Sequence, residues 1–160
     1  MRLTGQLLQI PCVVHPEAYP EKYKAKFLSY ATVGHPGLLT KQGMDDCYDK
    51  YAAPPSDPEF SPQLYRSRQG LAPVYVQVCG ADPLRDEALV YERALKENGV
   101  KTKFDIYPGV GHGFHIYIPQ RKAGLEFVQD FKDGLKWLVA GAVQCTAPPA
   151  YPMSVCAHFL

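Results

Sequence analysis

Three short apolar runs along the chain predict β-strands. Residues 74–79 are β-branched and nearly all apolar, and proline and glycine bound the run at its two ends. A run of this kind is typical of a central strand that is buried on both faces of a parallel sheet. Further strands are predicted at 102–107, which a Pro-Gly pair terminates, and at 7–10, which a proline ends.

Helical periodicity follows two of these runs. One helix is predicted to begin at Asp82-Pro83, with the aspartate as N-cap and the proline in the first helical position, and to end at Gly99. A last helix is predicted over 120–139, and a shorter one with a threonine N-cap over 39–51. Apolar residues recur in the last helix at spacings of three and four, so we expect them to form its inward stripe. They are Leu125, Val128, Phe131, Leu135 and Leu138.

The order of these elements predicts an α/β fold with a parallel sheet. A strand, a helix and a second strand form a right-handed crossover that leaves the two strands parallel. The length of 160 residues fits one domain. We expect residues 1–140 to form that domain, and residues 141–160, where prolines cluster, to form a disordered tail.

Composition excludes several classes of function. Lys and Arg together number 17 and Asp and Glu 16, so the charge does not favour a nucleic-acid partner or an anionic membrane. No apolar run approaches the roughly 18–20 residues of a membrane span, and the first residues lack the apolar stretch of a signal peptide. The five cysteines show no metal-type spacing and are expected to be reduced structural thiols. These features favour a cytoplasmic location.

An acid and a histidine follow neighbouring predicted strands. Asp82 comes soon after the strand at 74–79, and His112 lies in a glycine-rich loop after the strand at 102–107. The carboxyl ends of parallel strands share one edge of a sheet, where α/β proteins bind ligands, so we expect the two side chains to meet there. An ionised aspartate beside an imidazole fixes its tautomer and stabilises the imidazolium that forms when the ring takes a proton.

Each residue also has a simpler interpretation. An aspartate before a proline at a helix start is usually a helix cap, and a histidine among glycines is usually a surface turn residue. Their joint placement at matching strand ends, with the acid before the base, favours an acid–base pair, since α/β-hydrolases use the order serine, acid, histidine. His115 lies beyond the glycine loop and is expected to be structural.

Two motifs carry a resemblance to a known family. Asp-Pro-Leu-Arg-Asp-Glu at 82–87 and His-Gly-Phe at 112–114 resemble the acid and base motifs of hormone-sensitive-lipase-like esterases of the α/β-hydrolase fold. The resemblance covers residues 3–139 and implies that the three strands are strands six to eight of the full sheet. It implies that Asp82 is the acid and His112 the base of a catalytic triad. It also implies a small ester as substrate, without a metal or organic cofactor.

The other motifs of that family are absent from the sequence. The chain has neither the His-Gly-Gly-Gly-type oxyanion loop nor the Gly-Asp-Ser-Ala-Gly-type nucleophile elbow. None of its serines is flanked by elbow glycines; they are Ser29, Ser56, Ser61, Ser67 and Ser154. We therefore expect the C-terminal part of a serine carboxylic-ester hydrolase, whose N-terminal half would pair with the exposed edge of the strand at 7–10.

Other functions stay open at this level. The chain could be a non-catalytic truncated product or a binding module that associates, with itself or a partner, through the same exposed edge. The motifs do not separate an esterase from a lactonase, thioesterase or amidase.

Overall fold

A computed structural model describes residues 3–33 and 39–142 of the chain. Three parallel strands form one sheet in the order β1-β2-β3: β1 (Gln6–Gln9), β2 (Val74–Cys79) and β3 (Thr102–Tyr107). The helices are α1 (Ser29–Thr32), α2 (Lys41–Tyr51), α3 (Arg85–Glu97), α4 (Phe114–Tyr117) and α5 (Lys122–Val139). Short 3-10 turns lie at Pro16–Ala18, Glu21–Lys26 and Pro62–Leu64. The predicted α/β class, with about three parallel strands and flanking helices, is confirmed.

The central strand β2 is buried along its whole length. Val74 lies opposite Gln6 of β1 on one side and opposite Thr102 of β3 on the other. Neighbours on both edges and helices on both faces leave β2 no contact with solvent. The apolar run at 74–79 is therefore the strongest strand signal in the sequence.

One face of the sheet packs against α3. Because side chains alternate along a strand, the three valines of β2 point to this face. They form an apolar cluster with Ala88, Tyr91 and Leu95 of α3. This cluster is the main hydrophobic core of the described residues.

The opposite face packs against α5 and is more polar. Tyr75 lies against Gly134, where an added Cβ would come within 2.0 Å of the tyrosine ring. The buried Gln77 amide donates hydrogen bonds to the Tyr107 hydroxyl at 2.8 Å and to the Phe127 carbonyl at 2.9 Å. A glycine and a satisfied amide thus replace aliphatic contacts at the centre of this face.

The inward stripe predicted for α5 is wrong. Leu125, Val128 and Leu135 are exposed by 61%, 42% and 46%, and only Leu138 of the predicted set is buried. The buried positions of the helix are Gly124, Phe127, Gly134 and Leu138. Glycine is required at Gly134 by the Tyr75 ring of the sheet and at Gly124 by the backbone of residues 118–119, and a count of apolar residues does not detect glycine.

The predicted start of α3 is also wrong. Asp82 and Pro83 form a turn before the helix, which begins at Arg85 with Leu84 as its N-cap. The Asp82 carboxylate accepts a hydrogen bond from the Leu84 amide at 2.9 Å, and the Asp82 carbonyl accepts one from the Arg85 amide at 3.0 Å. These two hydrogen bonds close a turn at Asp82, and its other carboxylate oxygen stays available for a second contact.

Other predicted boundaries agree closely with the structure. Gly99 has the left-handed φ of 74° that ends α3, and Thr40 caps α2 by accepting a hydrogen bond from the Gly43 amide at 3.1 Å. Of the tail predicted at 141–160, residues 143–160 lie outside the described residues. Within residues 3–33 and 39–142, no helix combines the length and the apolarity that crossing a bilayer requires.

Candidate functional site

Asp82 and His112 lie together at the carboxyl ends of β2 and β3. Nδ1 of His112 is 2.8 Å from Oδ2 of Asp82. The aspartate side chain is 1% exposed, whereas that of the histidine is 27% exposed. A buried carboxylate thus holds one ring nitrogen, which leaves Nε2 as the nitrogen that can exchange a proton with another group.

Backbone hydrogen bonds join the two loops that carry this pair. The Gly80 amide donates to the Tyr107 carbonyl at 2.8 Å, and the Ala81 amide donates to the Val110 carbonyl at 2.9 Å. A Cβ on Gly80 would lie 3.0 Å from Cα of Pro108, so the close approach of the loops favours glycine there. The distance between the acid and the base is therefore set by backbone contacts next to both residues.

The segment after His112 turns sharply into the protein interior. Gly113 adopts a left-handed conformation with φ of 69°. The next residue, Phe114, is buried and clusters with Cys79, Tyr107 and Phe127. His112 is therefore held from both sides. The segment before it is hydrogen-bonded to the loop that carries Asp82, and Phe114 after it is anchored in the core.

Asp86 organises a distant segment of the chain. Its side chain is 1% exposed, and Oδ2 accepts hydrogen bonds from the amides of Leu28 and Ser29 at 2.7 and 2.6 Å. Oδ1 accepts a hydrogen bond from Arg85 Nε at 2.8 Å, and the same arginine donates to the Gly80 carbonyl at 3.1 Å. The charge of Asp86 is thus satisfied and fastens the start of α1 to the turn that carries Asp82.

Glu87 does the same for the segment after β1. Its Oε2 accepts hydrogen bonds from the amides of Val13 and Val14 at 3.0 and 3.3 Å. Burial raises the pKa of Glu87 to about 8, although these two amides act in the opposite direction. Three acidic residues within six positions at the start of a buried helix are the sequence signal that could have revealed these hydrogen bonds to backbone amides.

Two of the described cysteines, Cys12 and Cys79, do not resemble nucleophiles. Cys12, Cys47 and Cys79 are free thiols. Burial raises the pKa of Cys12 to about 11 and that of Cys79 to about 12. A thiol with so high a pKa carries little thiolate at neutral pH.

The hydroxyl groups of two described serines, Ser29 and Ser61, are used in hydrogen bonds to the backbone. The Ser29 hydroxyl donates to the Pro83 carbonyl at 2.7 Å and accepts from the Asp86 amide at 3.1 Å. The Ser61 hydroxyl donates to the Pro55 carbonyl and accepts from the His15 amide. Both are buried, so neither is a candidate nucleophile.

A cavity of about 760 Å³ lies beside the turn of Asp82 without including the pair itself. Tyr30 and Tyr48 line it, and both belong to the apolar cluster that contains Leu84, two residues after the acid. Asp45 in its wall accepts a hydrogen bond from the Tyr30 hydroxyl at 2.6 Å. In the ranges 3–33 and 39–142, no three His, Cys, Asp or Glu side chains are grouped so that they could hold a metal ion.

A family comparison identifies the class of fold. The profile of the α/β-hydrolase fold family matches residues 1–116, a range that contains both Asp82 and His112. The chain belongs to the α/β-hydrolase fold family. The resemblance to hormone-sensitive-lipase-like members is confirmed, as is a match to only part of their length.

Curated relatives place the chain among esterase-like proteins. An AB hydrolase superfamily protein of Schizosaccharomyces pombe is 36% identical over 139 residues, which are 86% of this chain and 41% of the relative. A versiconal hemiacetal acetate esterase of Dothistroma septosporum is 36% identical over 141 residues, which are 86% of this chain and 42% of the relative. The chain thus spans about two fifths of the length of these relatives.

Solved structures agree with this assignment. A vibralactone cyclase superposes with a TM-score of 0.82 at 41% identity, over 89% of this chain and 42% of that chain. An esterase of Pyrobaculum calidifontis superposes with a TM-score of 0.71 at 28% identity, over 84% of this chain and 42% of that chain. The three-stranded sheet and its helices therefore match part of the α/β-hydrolase fold of these structures.

Proposed function

We propose that this chain is the C-terminal part of a serine carboxylic-ester hydrolase, in which Asp82 is the triad acid and His112 the general base. The observation that carries the proposal is the 2.8 Å contact between His112 Nδ1 and Asp82 Oδ2, with the acid buried and the base accessible. The similarity to the D. septosporum relative, a versiconal hemiacetal acetate esterase, supports ester hydrolysis as the reaction.

The chemistry assigns one role to each residue. A serine hydroxyl attacks the ester carbonyl, and Nε2 of His112 takes its proton. The imidazolium, stabilised by Asp82, gives that proton to the departing alcohol as the acyl–oxygen bond breaks. In the second half of the reaction, a water molecule gives a proton to His112 as its oxygen bonds to the acyl carbon. The bond from that carbon to the serine oxygen then breaks, His112 returns the proton to the serine, and the carboxylic acid leaves.

The nucleophile and the oxyanion-hole donors come from outside this sequence. Without the nucleophile, triad enzymes keep only about 10³–10⁴-fold acceleration over water, which derives from substrate binding and the oxyanion hole. The chain alone supplies no oxyanion loop of the family type. We therefore expect the chain by itself to hydrolyse esters little faster than the solvent does.

A protein segment that carries these groups is the proposed partner, and β1 is its proposed docking edge. Within the described residues β1 pairs with β2 on one side only. Gly5, just before β1, lies against Leu138 of α5, which places the end of α5 beside this edge. The exposed Leu125, Val128 and Leu135 give α5 an uncovered apolar surface. An open strand edge beside uncovered apolar side chains favours association with another sheet segment.

A chimeric enzyme tests the catalytic roles. The 141 matched residues of the D. septosporum esterase would be replaced by the matching part of this chain, and hydrolysis of p-nitrophenyl butyrate would be measured. We expect turnover that His112→Ala lowers by about 10⁴-fold or more. The control Lys50→Ala, on an exposed lysine at the end of α2, should keep the rate of the parent chimera.

The outcome distinguishes three cases. A folded chimera whose turnover is unaffected by His112→Ala would overturn the role of His112. Turnover by the unmodified 160-residue chain alone, abolished by His112→Ala, would show that it carries its own nucleophile. Turnover only when the remainder of the relative is co-expressed as a separate chain would support docking at β1.

The free edge of β1 also favours a second candidate, a non-catalytic binding module. In that case the chain would bind a partner or a second copy of itself through β1 and the exposed apolar side chains of α5. Size-exclusion chromatography with light scattering would show concentration-dependent association. Association together with an inactive, correctly folded chimera would favour this candidate over the hydrolase.

We also propose a cytoplasmic location, supported by the free thiols of the described cysteines, since such thiols persist in reducing compartments. Fluorescence microscopy of a tagged chain would test it. Recovery of the protein from the secreted fraction would contradict it.

A further inference from the structure

A second histidine lies three residues after His112 in a different environment. The ring of His115 stacks on Phe127 of α5, with centroids 4.2 Å apart and planes inclined by 14°. It also meets the edge of the Phe114 ring at 5.8 Å. Since Phe127 is almost fully buried, the stack fastens α4 to the core directly after the His112 loop.

The nitrogens of His115 make a positive charge unfavourable. Nδ1 is buried and, among the described residues, has no hydrogen-bond partner. A proton on this atom would be a buried donor without an acceptor, so the favoured form is the neutral ring with its proton on Nε2. Burial lowers the pKa of His115, and the nearby His112 lowers it further.

Charged groups close to His115 do not reverse this preference. On α5, Lys122 and Glu126 pair with each other at 3.7 Å. In the preceding loop, His112 faces Asp82, so this buried carboxylate is already engaged. No carboxylate of the described residues makes an ion pair with His115.

We propose that His115 is a positioning residue for His112: a ring that stays neutral while His112 carries a proton, and whose stack on Phe127 fixes the turn that presents His112 to Asp82. This rests on the proposed function, in which His112 is the base. Only His112 of the two has a carboxylate to stabilise its charged form. A second charge at His115 would oppose the imidazolium that forms during the reaction.

Long-range proton–nitrogen NMR spectra of the histidine rings in the full chain test this proposal. We expect His115 to show the Nε2–H tautomer and to titrate below the pH of an ordinary histidine side chain. His115→Phe, which keeps the stacked ring, should preserve the Nδ1 proton that His112 shares with Asp82. His115→Ala should speed exchange of that proton about tenfold, because an aromatic pair is lost. The matched control His15→Ala removes a ring that packs on Tyr48 and should leave the His112 signals unchanged.

The results divide clearly. Titration of His115 at or above the pH of an ordinary histidine side chain, or an unchanged proton in His115→Ala, would overturn the proposal. Equal damage from the Phe and Ala variants would overturn the stacking role, with the amide spectrum confirming that each variant is folded. Activity is measured in the chimera, in an experiment separate from the NMR spectra of the 160-residue chain. An inactive chimera with the expected NMR pattern would remove the role of His112 as base and leave its positioning by His115 intact.

Discussion

The two faces of the sheet are built on different principles. On the α3 face the three valines of β2 meet aliphatic and aromatic side chains, where contacts depend on volume and burial. On the α5 face, Tyr75 fits against a glycine and Gln77 lies in a fully buried set of hydrogen bonds. The first face tolerates exchange between apolar residues of similar size, whereas the second depends on particular shapes and donors.

The hydrogen bonds of the α5 face connect all three strands to the helix. The side-chain amide of Gln9 in β1 donates a hydrogen bond to the side-chain oxygen of Gln77 at 2.9 Å. Gln77 donates to the Tyr107 hydroxyl, which donates to Asp130 of α5 at 2.9 Å. Removal of one member takes a hydrogen bond away from each of its neighbours, so this face is sensitive even to changes that preserve volume.

The largest effect is expected for Gly134→Ala. The new methyl group would overlap the Tyr75 ring, and α5 would have to move away from the sheet. We expect a loss of about 3 kcal/mol in the free energy of unfolding, measured by urea denaturation. Gly43→Ala in α2 is the matched control, because its Cβ meets an ordinary contact at 3.4 Å and alanine favours a helix. Equal stability of the two variants would contradict the close approach of α5.

The next effect compares substitutions of similar size on the two faces. Gln77→Leu leaves the Tyr107 hydroxyl and the Phe127 carbonyl without their donor, so we expect a loss of about 2 kcal/mol. Leu95→Met on the α3 face should cost less than about 1.5 kcal/mol, since volume and polarity are nearly kept. Thermal and urea unfolding of both variants would measure the difference. A more stable Gln77→Leu variant would show that the polar contacts are dispensable.

The free energy of unfolding should depend on pH through Glu87, in the first turn of α3. The folded-state pKa of Glu87 is raised to about 8, above its ordinary value. Its stabilising contribution is therefore complete below the unfolded pKa and is lost as the pH rises through about 8. We expect the free energy of unfolding to fall between about pH 5 and pH 8, and Glu87→Gln to flatten this slope. The exposed Glu59→Gln is the control, and an unchanged slope in Glu87→Gln would rule out this source.

The smallest effect on stability is expected on the outer surface of α5. Leu135→Lys should change the free energy of unfolding of the isolated chain by less than about 0.5 kcal/mol, because the side chain is already exposed. The same change should weaken association with the co-expressed remainder of the relative, as measured by co-purification. The exposed Leu71→Lys is the control on another surface. Unaltered co-purification of Leu135→Lys would exclude this surface from the docking site.

The difference between the faces also explains which features the sequence could predict. The bounds of β2 and β3 agree with prediction, because apolar runs end at glycine and proline. The stripe of α5 was wrong because its inward positions include Gly124 and Gly134, whose importance lies in the space they leave.

The candidate site was predictable to a similar extent. Parallel topology is enough to bring Asp82 and His112 to one edge of the sheet. The hydrogen bonds from backbone amides to Asp86 and Glu87 were missed because the donors lie 57 and 74 positions away in the sequence. Contacts at that range depend on irregular segments, which periodicity does not describe.

The most direct test of the account is the ester hydrolysis rate of the chimera when Asp82 becomes asparagine. Asparagine keeps the size of the side chain but cannot stabilise the imidazolium, and in serine-protease triads the same change lowers kcat by about 10⁴-fold. We predict a decrease of that order, with an unchanged unfolding midpoint that shows the fold to be intact. A folded Asp82→Asn chimera that stays within about tenfold of the parent rate would contradict the assignment of Asp82 and His112 as an acid–base pair.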